Sequence, residues 1–192
     1  MGVNKHGLFV GLTNRPTESR DPGRRSRGLL VSDALREGSA RRVAERMSES
    51  VEGRYSPFNL LYGDGQRTFV TTQTEERFDT VELPAGIQIL CNRDINDGEV
   101  PKIAAIRAQL AGLDLEGPIG AVFEALQKLL RRHSGDDAPL DGVCVHTSGY
   151  GTRSSAILSV NREQGQYWYA DGAPCETEYE DCSSLLDELR VA

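Results

Sequence analysis

The chain has 192 residues, 38% of them hydrophobic and 27% charged, the composition of a folded globular protein long enough to bury a sizeable core. A net charge of -7 argues against nonspecific binding to nucleic acid or to an anionic membrane surface. No apolar run approaches the roughly 20 residues needed to span a bilayer and no signal peptide is visible, so Cys91, Cys144, Cys175 and Cys182, which have no framework spacing, read as free thiols of a cytoplasmic protein.

Met1-Gly2 begins like a myristoylation site, but His6 stands where Ser or Thr is wanted. The stretch from Gly2 through Asn4-Lys5-His6-Gly7 to Leu12 predicts a β-hairpin with a four-residue turn closed by glycine. Its first arm is very short, so an unpaired strand edge is expected near Val10-Gly11-Leu12, and with it a homodimer formed by edge pairing. Residues 15–27 are loop-like, broken by Pro16 and Pro22-Gly23, and hold Arg15, Arg20, Arg24, Arg25 and Arg27 against Glu18 and Asp21. Such a loop either holds an anionic ligand, a carboxylate or a phosphate, or is solvated with its arginines paired to local acids.

Ser26 is a suitable N-cap for a helix through Leu35 that Gly38 closes. Ser39 caps a second helix, in which Ala40, Val43, Ala44, Met47 and Val51 form one core-facing stripe. Residues 58–62 and 66–72 predict a hairpin about Gly63-Asp64-Gly65, and residues 80–83 and 86–90 predict two further strands. Asn59 sits inside an apolar strand and Asn92 follows the last one. A buried Asn must find partners, so each is either a structural clamp or a site residue.

Pro101 opens a helix with Ile103, Ile106 and Leu110 on one face, and Gly117-Pro118 opens another with Ile119, Val122, Phe123, Leu126, Leu129 and Leu130 inward. Arg131, Arg132 and His133 suit the end of that helix through its dipole. Beyond a polar loop that includes Asp136 and Asp137, Val143, Val145 and Thr147 alternate with Cys144, His146 and Ser148, which predicts a strand. A glycine-rich corner, Gly149-Tyr150-Gly151-Thr152-Arg153, leads into an apolar strand containing Ala156, Ile157, Leu158 and Val160. Glu163-Gln164-Gly165-Gln166 turns the chain into residues 167–170. Glu176, Glu178 and Glu180 read as solvated charge, and a short helix ends the chain. Cys144-Val145-His146 supplies two donors, too few for a zinc site. It is either a Cys–His nucleophile pair or a small buried Cys beside a polar His.

Four of these stretches resemble, in order, motifs of the transport-and-Golgi-organisation-2 family, also called the NRDE family. They are residues 7–15, which end in Asn14-Arg15, then residues 25–31, then Pro57-Phe58-Asn59-Leu60-Leu61, and finally Gly149-Tyr150-Gly151-Thr152-Arg153 with its strand. The order of elements by itself predicts an α+β protein with segregated helices. The resemblance implies a layered αββα sandwich like that of N-terminal-nucleophile hydrolases, as one domain over residues 1–192. It also implies an N-terminally incomplete form, because the family's Met-Cys start and Asn-Arg-Asp-Glu motif do not precede Gly2. The downstream run Cys91-Asn92-Arg93-Asp94 is not that motif.

The function implied is binding or trafficking of a small molecule, with haem as the family's candidate ligand and no certain cofactor. Two alternatives stand beside it. One is an amide hydrolase whose nucleophile is absent from this chain, for which no amidase turnover is expected, and the other is an inactive structural remnant. The candidate ligand-binding residues are Asn14, Arg15, Asn59, Asn92, Tyr150 and Arg153. No catalytic residue or metal ligand is assigned. More distant hydrolases of the choloylglycine type place an Asn and an Arg about the nucleophile. Resemblance to them implies that Asn92 and Arg153 face one cleft within about 10 Å, the span of a small-ligand pocket.

Overall fold

The computed structural model describes residues 1–17, 21–50, 52–135, 137–160 and 165–191, so Glu18, Arg20, Val51, Asp136, Glu163 and Gln164 lie outside the described residues. The chain divides into two units, Met1–Asp97 and Gly98–Val191. Both pair an antiparallel sheet with helices. The protein is therefore α+β, and its antiparallel sheets with accompanying helices are consistent with the expected αββα class.

The first unit is built on a five-stranded sheet in sequential order, β1 (Gly2–Val3), β2 (Phe9–Asn14), β3 (Phe58–Gly63), β4 (Thr68–Gln73) and β5 (Phe78–Leu83). The expected first hairpin forms, with Gly2 opposite Val10, Val3 opposite Phe9, and Gly7 taking the positive φ of 76° that its turn demands. Asn4 fixes this turn to the end of a helix. Its Nδ2 donates to Leu35 O at 2.9 Å and Glu37 O at 2.8 Å, while its Oδ1 accepts from the His6 and Leu8 amides. β2 pairs with β3 along its whole length but with β1 only at Phe9 and Val10. Beyond Val10 its outer side has no strand partner among the described residues.

Period-two alternation along β3 decides what each face of the sheet meets. Phe58, Leu60 and Tyr62 are fully buried on the face that joins the core with Leu30, Ala34, Val43 and Met47 of α1 (Arg27–Ala34) and α2 (Ala40–Ser50). Asn59 and Leu61 point to the opposite face. Tyr62 stacks on Phe69 at 5.7 Å, and its hydroxyl continues a hydrogen-bonded row through Thr71 to Thr80, each step 2.9 Å. Both helix caps are as expected: Ser26 Oγ accepts from the Gly28 amide, and Ser39 Oγ accepts from the Arg42 amide. Ser26→Ala is expected to lower stability by about 1 kcal/mol, a loss that urea unfolding would register.

Residues 86–90 were expected as a strand and are not one. Asn96, with a positive φ of 57°, takes both backbone groups of Ile89: its amide donates to Ile89 O and its Oδ1 accepts from the Ile89 amide, both at 2.9 Å. With those groups taken inside the segment, Ile89 has none left for a ladder.

The second unit contains a three-stranded sheet, β6 (Ser155–Val160), β7 (Gly165–Ala170) and β8 (Glu180–Asp181), with α3 (Pro101–Leu110), α4 (Ile119–Leu130) and α5 (Ser184–Val191). Its small core joins Phe123, Leu126 and Leu130 of α4 to Ile157, Trp168, Ala170 and Tyr179. Pro101 occupies the first turn of α3, as expected. Ile119 is 43% exposed rather than inward, since it opens α4 one turn ahead of the buried Val122 and Phe123. The side chains of Glu176, Glu178 and Glu180 are exposed, as expected, while the backbone of Glu180 lies opposite Tyr169 in β8.

The expected strand over residues 143–147 is also absent. Val143 and Cys144 both donate their amides to Arg132 O, just beyond the end of α4, which draws this segment onto the helix terminus. A single bridge, His146 to Gly151, is what remains of the anticipated pairing.

Candidate functional site

In the first unit, Asn59 is fully buried on the sheet face away from the helices, and every one of its polar positions is used. Its Nδ2 donates to Arg93 O at 2.8 Å and to Cys91 O and Thr13 Oγ1 at 3.2 Å. Its Oδ1 accepts from Arg15 Nη1 and Thr72 Oγ1, both at 3.1 Å. Thr13 Oγ1 donates in turn to Cys91 O at 2.6 Å. Asn59 is thus the clamp that fastens residues 91–93 over the sheet.

Arg15 closes the same network. Its Nη1 reaches Asp94 Oδ1 at 2.6 Å, and Arg77 Nη2 holds both oxygens of Asp94 at 3.0 Å. Partial burial works against ionisation of Asp94, but hydrogen bonds from Arg15 and Arg77 outweigh it and hold the carboxyl below its ordinary range. A depressed folded value contributes stability at pH above the unfolded carboxylate value of about 3.9, and the contribution is lost as pH falls through the folded value. The stability gap between the wild-type chain and Asp94→Asn is therefore expected to be widest near neutral pH and to narrow as pH falls below the unfolded value of about 3.9 toward the lower folded one. Urea midpoints of both chains followed from neutral to acid pH check this.

Beside this network lies a pocket of about 690 Å³, lined by Leu12 and Asn14 of β2, by Arg24, Arg25 and Arg27, and by Asp21, Ser26 and Ser56 among others. Its size is that of small-molecule sites. The arginines are anchored from behind. Arg24 pairs with Glu75 at 2.8 Å, Arg25 pairs with Asp33 at 2.5 Å and reaches Tyr55 Oη at 2.6 Å, and Arg27 donates to Pro57 O at 2.8 Å. Hydrogen bonds from Arg24 and Arg25 hold the carboxyls of Glu75 and Asp33 below their ordinary ranges. The arginines of the basic loop thus pair with acids and also line a concave surface, on which Asp21 is the one acid among the described lining residues.

The six expected binding residues are distributed unevenly. Asn14 lines the arginine pocket, Arg15 and Asn59 belong to the clamp, and Asn92 is exposed beside it. Tyr150, 69% exposed, and Arg153 lie on the corner of the second unit. The guanidinium of Arg153 has no hydrogen-bond or ion-pair partner among the described residues. Thr147 shapes the corner, donating its Oγ1 to Tyr150 O at 2.7 Å and accepting from the Tyr150 amide at 3.1 Å.

The second unit holds a constellation that sequence spacing does not display. His133, Cys144, His146 and Cys175 bring one donor atom each to within 4.8 Å of one another. Burial first, and the Cys144 thiol beside it, push the Cys175 thiol above its ordinary value. His133 follows α4 and Cys175 follows β7, so neither is near Cys144 in sequence. No local pattern marks them.

Among the described residues of this α+β chain, no helix is long and apolar enough to cross a membrane. The family model described as Transport and Golgi organisation 2 matches residues 1–171, and the chain belongs to that family. No curated protein matches the chain.

Proposed function

We propose that this chain is a small-molecule binding or trafficking protein and that the arginine-lined pocket of the first unit takes an anionic ligand, with haem as the candidate its family implies. One observation carries the reading: Arg24, Arg25 and Arg27 line one concavity of about 690 Å³ in which, among the described lining residues, only Asp21 opposes them. Among the described residues the lining includes no His, Cys or Met, so haem would be held there through its carboxylates rather than its iron. That suits a carrier that must release its cargo. The reading takes residues 1–192 as one family domain spanning both units, in the cytoplasm, with a homodimer formed along the open side of β2. Sedimentation equilibrium showing a monomer at every concentration would remove the dimer.

Asn14 offers the cleanest test, because it lines the pocket and its exposed side chain is not part of the clamp. Asn14→Asp places a negative charge among the arginines without deleting an anchor. Haem affinity is expected to fall about tenfold, which corresponds to about 1.4 kcal/mol, with the thermal midpoint nearly unchanged. Arg153→Ala separates the other candidate position. A loss of affinity in Arg153→Ala but not in Asn14→Asp would move the site to the Gly149–Arg153 corner.

A further inference from the structure

We propose that His133, Cys144, His146 and Cys175 form a structural zinc site in the second unit. Zinc held by two thiolates and two imidazoles is tetrahedral, with Zn–S near 2.3 Å and Zn–N near 2.0–2.1 Å, which sets S–S separations of about 3.8 Å and N–S separations of about 3.6 Å. Here the two Sγ atoms are 3.6 Å apart, and Cys144 Sγ is 3.6 Å from His146 Nε2. His146 Nε2 to Cys175 Sγ is 3.1 Å, and all four donors fall within 4.8 Å. An ion at their centre needs only small side-chain adjustments.

The surroundings are built for the same purpose. His133 Nδ1 lies 2.9 Å from Cys144 O, so as a donor to that carbonyl it leaves Nε2 for the metal. A backbone carbonyl that fixes the tautomer of a ligating His is the usual outer partner in such sites. The loop carrying Cys144 and His146 is anchored by the two amides given to Arg132 O and by the Thr152 amide donating to Val145 O at 2.9 Å. Glycine makes this close packing feasible. A Cβ on Gly142 would stand 2.8 Å from Ser134 N, and one on Gly151 would stand 2.9 Å from Val145 O.

A two-sulfur, two-nitrogen tetrahedron selects zinc among the common divalent ions, and four protein ligands leave no open position for catalysis. Both thiols bind as thiolates and release their protons, so the loaded site is electrically neutral, which suits a cluster with one buried and one half-buried sulfur. The ion would tie the end of α4, the 142–152 loop and the segment after β7 together, in a unit whose described apolar core is small.

The test uses the full chain purified under reducing conditions. Zinc alone is titrated against a chromophoric chelator, and cobalt(II) is then substituted to report ligand type and geometry by its absorption. The expected result is one zinc per chain, and a cobalt spectrum with thiolate charge-transfer and tetrahedral d–d bands. Cys175→Ser should reduce zinc affinity by at least about 100-fold, while Cys91→Ser and Cys182→Ser should not change it. If Cys175→Ser fails to fold, the cobalt spectrum of the wild-type chain and the two control variants still decide. Absence of stoichiometric zinc in the wild-type chain, an octahedral cobalt spectrum without thiolate bands, or equal loss in the control variants would overturn the site. So would a Cys144–Cys175 disulfide found in the reduced preparation.

Discussion

Asn59→Ala is expected to lower the free energy of unfolding by about 3 kcal/mol, a loss on the scale of breaking a buried hydrogen-bond network. The side chain is fully buried and joins five partners, so truncation strands Arg93 O and Thr72 Oγ1 and frees residues 91–93 from the sheet. Asn59→Asp separates this account from simple loss of volume. It keeps the shape but turns the donations to Cys91 O and Arg93 O into contacts between acceptors, so at pH 7 it should destabilise at least as much as alanine does. Urea unfolding followed by circular dichroism measures both. Two variants within 1 kcal/mol of the wild-type chain would contradict the clamp.

Leu60→Ala is expected to cost about 3 kcal/mol, and Leu61→Ala, one residue on, about 1 kcal/mol. Leu60 has no exposed surface and packs with Phe58 and Tyr62 against the helices, whereas Leu61 is only half-buried on the other face. The pair tests the register of β3 directly, since a slip of one residue would exchange the two costs. Comparable losses for the two variants in the same urea measurement would contradict it.

Much of the fold was legible in the sequence, for local reasons. The Asn4 to Gly7 turn, the Ser26 and Ser39 caps, the α2 stripe of Ala40, Val43 and Met47, the Gly63-Asp64-Gly65 hairpin and the proline opening α3 are all encoded within a few residues. The two strands that failed to appear lie where non-local bonds override the pattern. Arg132 O takes the amides of Val143 and Cys144, and Asn96 takes the backbone of Ile89. The candidate sites were legible only in part. Asn59 could be seen as a polar residue in an apolar strand, but not that its partners would come from residues 13, 15, 72, 91 and 93. Cys144 and His146 were visible as a pair. That His133 and Cys175 complete a cluster depends on how α4 ends and on where the chain runs after β7, and no short spacing records either.

The central claim, an anionic ligand held by the arginine-lined pocket, is tested most directly by titrating the chain with haem and, separately, with haem dimethyl ester, which keeps the ring and iron but has no free carboxylates. Saturable binding of haem at one equivalent, with the ester bound at least about tenfold more weakly, is the predicted result. Equal affinity for the two, or no saturable binding of haem, would contradict it.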